Sequence, residues 1–171
     1  MKRFIYICIA IFALLTNNSC INEDIPQPIE RVKIGQQLPD FSVIMNNSEI
    51  VTGEMLRERV SVIIFFHTSC PDCQQLLPQI EPLYDEYTTR GVAFTLISRE
   101  EEEASIAEFW RDHNLNMPYS AQNNRAVYEL FASSLIPRVY VSDSDGTVQS
   151  IFTDNPVPTY NEIKAILDSL L

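Results

Sequence analysis

The chain has 171 residues, 46% of them hydrophobic and 20% charged, an ordinary globular composition with enough length to bury one sizeable core. Its 12 Lys and Arg stand against 23 Asp and Glu, for a formal net charge of −11. Phosphate binding rests on clustered basic residues, so this balance argues against nucleic acid as a partner.

At the amino terminus, Lys2 and Arg3 precede the apolar stretch Phe4–Leu15, a positive n-region followed by a short h-region. A membrane-spanning helix needs roughly 20 apolar residues, and Thr16, Asn17 and Asn18 end this run too early. Residues 1–19 therefore read as an export signal, which places the folded part outside the cytoplasm. Ser19-Cys20 resembles the cleavage and lipidation site of bacterial lipoproteins, although Asn17 stands where an aliphatic residue is usual. Cys20 is thus the expected lipid-bearing residue, and a soluble exported protein cut nearby, or an uncleaved anchor, is the alternative. Residues 20–34, with Pro26 and Pro28 among polar neighbours, read as a tether to the membrane.

The domain is expected over residues 35–171. A short hairpin is predicted from Phe41 to Val51. The continuous apolar run Val60–Phe66 follows and reads as a buried strand. A helix is predicted from Pro71 to Thr88, kinked at Pro78 because an internal proline removes a donor and clashes with the preceding turn. Gly91–Ser98 reads as a second strand. In "REEEEAS", Arg99–Ser105, the simplest reading has Ser98 capping a helix whose first turn holds Glu100–Glu103, where the macrodipole favours anions. That helix runs from about Glu101 to His113 and buries Ile106, Phe109 and Trp110. A shorter helix is expected near Asn124–Phe131, two strands joined at Asp145-Gly146 within Arg138–Phe152, and a last helix over Thr159–Leu170. The order gives an α/β, three-layer sandwich with a mixed central sheet and an N-terminal β-hairpin extension.

Of Cys8, Cys20, Cys70 and Cys73, only the last pair belongs to this domain, so Cys70 and Cys73 are each other's partners. A zinc site would need two more good ligands, and His67 and His113 are the only histidines. A copper-delivery site of Cys70, Cys73 and His67 is conceivable, but nothing in the spacing favours it over thiol chemistry. No metal or other cofactor is called for. As a staple the pair would close too short a loop to remove much unfolded-state entropy. The pattern suits a reactive thiol better: Cys70 falls where a strand passes into a helix, and Pro71 suits the first helical turn. The amides of that turn favour a thiolate at Cys70. A thiol of pKa about 8.5 is only ~3% ionised at pH 7, against roughly half at pKa 7. Cys70 is the expected nucleophile. Cys73, one turn on and on the same face, is the expected resolving thiol.

The segments "KIGQQLPDFSV", "VSVIIFFHTSCPDCQQLLPQIEPLYDEY", "GVAFTLIS" and "LIPRVYVSDSDGTV" together resemble the TlpA/ResA branch of thioredoxin-like thiol:disulfide oxidoreductases. The resemblance covers residues 35–171. It implies a thioredoxin-like fold and exchange of a Cys70-Cys73 dithiol or disulfide with protein substrates, in the reducing direction, with a membrane-bound electron donor. It also implies a cis bond before Pro137, with the backbone at Ile136 pairing with an extended substrate segment. The chain departs from the family as well. Ile64 and Leu76 stand where thioredoxins and ResA-type proteins carry a carboxylate, and Ser69 replaces a common tryptophan. No inherited proton acceptor is visible. His67 could supply positive charge or move a proton near Cys70, or simply pack. Asp72 opposes a neighbouring thiolate, which stabilises the disulfide. Two other readings compete. A peroxiredoxin needs Pro and Thr where Ile63 and His67 stand, with Arg138 as its arginine. A thioredoxin-like adaptor would carry the cysteines as vestiges or as redox sensors.

Overall fold

The computed structural model describes residues 29–171. The signal, Cys20 and most of the expected tether lie outside these residues.

A central strand with no polar face organises the molecule. Strand β3 (Ser61–Phe66) is buried at every position, as its unbroken apolar run requires. It lies in the middle of a five-stranded sheet, with two strands on either side. Strand β4 (Ala93–Ser98) runs parallel to it, from Ser61 opposite Ala93 to Phe66 opposite Ser98. On the other side, β6 (Arg138–Ser142) is antiparallel, with Phe65 opposite Arg138. Strand β7 (Val148–Phe152) pairs antiparallel with β6, and the two-residue β5 (Tyr119–Ser120) extends the parallel half. Successive residues of β3 face opposite sides of the sheet. Phe65 packs against Tyr128, Phe131 and Tyr140, while Phe66 packs against Trp110. Both faces are therefore covered, and the sheet is mixed as expected.

The predicted hairpin is a separate two-stranded sheet, β1 (Ser42–Ile44) and β2 (Ile50–Thr52). It is tied to β5 by Asn46 N–H to Tyr119 O at 2.7 Å and by the Ser120 hydroxyl to Ile44 O at 2.7 Å. A four-residue helix that the sequence did not announce, α1 (Gly53–Leu56), follows β2, capped by the Thr52 side chain. Helix α2 (Pro71–Thr88) has the predicted limits and is continuous through Pro78 and Pro82. Helix α3 (Glu103–Asp112) buries Ile106, Phe109 and Trp110. The predicted helix near Asn124–Phe131 shortens to α4 (Ala126–Glu129). Helix α5 (Tyr160–Leu170) begins at a full capping box between Thr159 and Glu162. The turn between β6 and β7 places Gly146 at φ 76, with Arg57 side-chain atoms where a Cβ would stand, so only glycine fits it.

Two local readings change. Ser98 does not cap a helix: it ends β4, fully buried, and its hydroxyl accepts Gln122 N–H at 2.8 Å. The helix starts later, at Glu103, with Glu102 as its N-cap residue. The end of the expected tether is also not free. Ile29–Lys33 forms a strap against the segment after α4: Glu30 bridges Ala132, and the Arg31 and Val32 amides both donate to Phe131 O. Val32 is buried.

Candidate redox site

The pair Cys70-Cys73 stands at the exit of β3, where the buried strand gives way to α2. Cys70 is the N-cap residue of α2 in extended conformation, and Pro71 occupies the first turn, where its missing N–H is not needed. Asp72 lies in the same turn. Both cysteines are free thiols, Cys70 half-buried and Cys73 wholly buried. A disulfide approaching from solvent therefore reaches Cys70 first, and Cys73 is shielded behind it. Burial pushes the Cys73 thiol far above its ordinary range. A backbone hydrogen bond from His67 acts against this, while Cys70 and Asp72 add to it.

The loop Ile136-Pro137 closes the site from the β6 side. The peptide bond between these residues is cis. The Cys70 thiol donates to Ile136 O at 3.5 Å, so the structure brings together the two segments singled out in the sequence. The carbonyls preceding Ile136 are each held by a side chain. Arg125 donates to Ser133 O at 3.0 Å, Arg138 to Ser134 O at 3.0 Å and the Tyr128 hydroxyl to Leu135 O at 2.7 Å. Arg138 is buried and its guanidinium also meets Glu30 of the strap. These contacts place it between the loop and the strap.

His67 sits in the turn before the cysteines. Its carbonyl accepts Cys70 N–H at 3.0 Å, and its ring Nδ1 accepts Ser69 N–H at 3.1 Å. Nδ1 is also 3.6 Å from a carboxylate oxygen of Glu101. Glu101 is the residue that the sequence concealed. Counted there among the glutamates of a helix's first turn, it is buried, and its carboxylate accepts both the backbone N–H of Thr68, at 2.9 Å, and the Thr68 hydroxyl. Gln74 of α2 donates to Thr68 O at 2.7 Å. The turn is thus pinned from the connection between β4 and α3 and from α2. The peptide unit joining His67 to Thr68 is held at both ends, by Cys70 on its carbonyl and by Glu101 on its N–H. Within the run Glu100–Glu103 only the true start of α3 would have revealed which glutamate turns inward. The positions of the absent family carboxylates, Ile64 and Leu76, are fully buried.

A model of the AhpC/TSA family matches residues 34–151. The chain belongs to the AhpC/TSA family. Among curated relatives, ResA of Bacillus cereus, a thiol-disulfide oxidoreductase, is 23% identical over 119 residues, 70% of this chain and 69% of that protein. The thioredoxin-like protein YneN of Bacillus subtilis is 27% identical over 141 residues, 80% of this chain and 81% of its own. The fold is also that of a thiol:disulfide interchange protein of the thioredoxin family from Chlorobium tepidum, with a TM-score of 0.69 at 17% identity over 81% of this chain and 97% of the other. A secreted disulfide oxidoreductase of Mycobacterium tuberculosis gives 0.67 at 17% identity, covering 76% and 96%. This AhpC/TSA member is a thioredoxin-fold thiol-disulfide oxidoreductase, as the resemblance to the TlpA/ResA branch implied.

Proposed function

We propose that this protein is an extracytoplasmic thiol-disulfide oxidoreductase that passes electrons from Cys70-Cys73 to protein disulfides. The observation that supports it most is the asymmetry of the pair: Cys70 is half-buried at a helix start and Cys73 is sealed behind it. Cys70 sulfur attacks a substrate disulfide, forming a mixed disulfide and releasing one substrate thiol. Cys73, deprotonated as it reacts, then attacks Cys70 sulfur. The second substrate thiol leaves, and the protein holds a disulfide two electrons more oxidised. Ile136 and Pro137 receive the extended substrate segment beside Cys70, and Asp72 and His67 modulate the pair.

The test is chemical. Iodoacetamide at neutral pH is expected to label Cys70 of the reduced protein at least about tenfold faster than Cys73, since only the thiolate of an accessible sulfur reacts. Cys73→Ser is expected to trap a mixed disulfide with substrate, and Cys70→Ser to abolish exchange. Equal labelling, or undiminished exchange by Cys70→Ser, defeats the assignment.

The reducing direction draws support from Asp72, which disfavours a thiolate beside it and so favours the disulfide form. Equilibration with glutathione checks it: a pair that stays reduced in strongly oxidising buffer contradicts a reductant. Anchoring through acylated Cys20, on a tether that precedes the strap and near a membrane-bound electron donor, belongs to the same proposal. Palmitate labelling in a bacterial host is expected to vanish in Cys20→Ala.

A further inference from the structure

The loop Ser133–Ile136 is held with more care than a connection between a helix and a strand requires. Three consecutive carbonyls, those of Ser133, Ser134 and Leu135, accept from Arg125, Arg138 and Tyr128. The fourth, of Ile136, accepts from Cys70. Within this frame Leu135 has φ 72 and a relative exposure of 37%. A left-handed backbone suits glycine or asparagine and disfavours leucine, and solvent disfavours the side chain. Such a residue persists only where its surroundings over-determine it, and strain of this kind gathers at functional sites. The strap meets the same loop. Ile29 N–H donates to the Ser133 hydroxyl at 2.8 Å, Ser133 N–H donates to Ile29 O at 3.0 Å, and Ile29 is 57% exposed. Ser133 and Ile136 are three residues apart, at most about 10 Å of chain, so Leu135 and Ile29 of the strap are both tied to the loop whose Ile136 carbonyl meets Cys70.

We propose that Leu135 and Ile29 form an apolar recognition rim beside Cys70, selecting extended protein segments that carry apolar residues next to the reacting cysteine. This rests on the oxidoreductase reading and names the class of segment it accepts. Continuity with the redox site identifies the occupant, because the Ile136 carbonyl, next in the chain to Leu135, is the group that the Cys70 thiol meets. The rim is built by two parts of the chain, so substrate choice depends on a strap remote from the cysteines in sequence.

The experiment uses the full chain, reduced, with two short Gly-Ser peptides. Each carries a single cysteine as its mixed disulfide with thionitrobenzoate, flanked by leucines in one and by serines in the other. Cys70 attacks the peptide sulfur and coloured thionitrobenzoate leaves. Cys73 then releases the peptide as a thiol, leaving the protein disulfide. Rates are divided by those with dithiothreitol to remove intrinsic differences. The wild type is expected to prefer the leucine peptide roughly tenfold, the scale of burying part of an apolar side chain, and Leu135→Asn to reduce the preference to within about twofold. Asparagine tolerates the left-handed backbone, so this variant removes the side chain and keeps the loop. Leu135→Met is expected to retain the preference, and Ile29→Ser to weaken it. The ratio separates recognition from damage, since a loosened fold slows both peptides alike. A wild type indifferent to the flanks, or a preference that survives in Leu135→Asn, overturns the rim. Failure of the wild type to react with either peptide overturns the oxidoreductase reading beneath it.

Discussion

At Cys73, burial and acidity pull apart as pH rises. The folded chain holds this thiol protonated well beyond its ordinary range, chiefly through burial, whereas the unfolded chain releases the proton near pH 8.5. Below that pH both states carry the proton and stability is unaffected. Above it the unfolded state gains by ionising, and stability falls by up to about 1.4 kcal/mol per pH unit. Urea unfolding of the reduced protein between pH 7.5 and 9.5 is expected to show this decline, and Cys73→Ser to flatten it. Glu101 supports a second expectation. Its removal in Glu101→Ala strands the buried Thr68 N–H, which the carboxylate accepts at 2.9 Å, at a cost of about 1–3 kcal/mol. The same change frees the peptide unit that holds Cys70 N–H, so alkylation of Cys70 is expected to change along with stability. Thr68→Ala leaves the N–H contact in place and is expected to do less. The cysteines were legible because their spacing is local and chemical. Glu101 was not: four consecutive glutamates look alike until the β4-to-α3 connection shows that Glu101 N–H is spent on Gln122 O at 2.7 Å, turning that side chain inward.

Elements were readable wherever local chemistry and packing agree. Helix α2 begins at Cys70-Pro71, where proline dispenses with an amide the first turn cannot use, and α5 at the Thr159 capping box, which satisfies its amides. Strand β5 and helix α1 escaped because each is so short that its partners, rather than its own pattern, define it. The strap escaped for the opposite reason. Two prolines and polar neighbours suggested an unpacked tether, yet Glu30 finds the buried Arg138 guanidinium and accepts the Tyr140 hydroxyl at 3.0 Å. Removing one partner of a fully buried pair costs about 3–5 kcal/mol. The Glu30 side chain is 32% exposed against 1% for Arg138, so water relieves part of this, and Glu30→Ala is expected to lose about 2 kcal/mol in urea unfolding. An unchanged midpoint would mean that the strap is not held by its ion pair. Helix α5 is held differently. The Tyr87 hydroxyl and the Arg90 guanidinium both donate to Asp168, at 2.6 Å and 2.9 Å, and these bonds lower the Asp168 carboxyl to about 2. That docking is fully present above the ordinary carboxylate range and is lost only as pH falls toward 2.

Across the whole molecule, the alternation of apolar runs and helical patterns announced a mixed sheet, and the sheet is mixed, with β3 at its centre. Contacts between distant segments were not written in any local pattern. Arg138 illustrates this: beside a proline at the start of a strand it suggested a peroxidase arginine, and its carboxylate partner, Glu30, arrives from the far end of the chain. That contact also orders events in time. Glu30 and Arg138 are 108 positions apart. A chain emerging amino terminus first, from a ribosome or through a membrane, presents the strap long before its receptor exists. Closing so long a loop carries an entropic penalty that grows with the logarithm of its length, and distant pairings form slowly. The strap is therefore among the last pieces to settle. Until it does, Arg138 lacks its carboxylate and the loop facing Cys70 lacks one of its supports, so the nascent protein completes its substrate-facing surface only after most of its own sequence has been delivered.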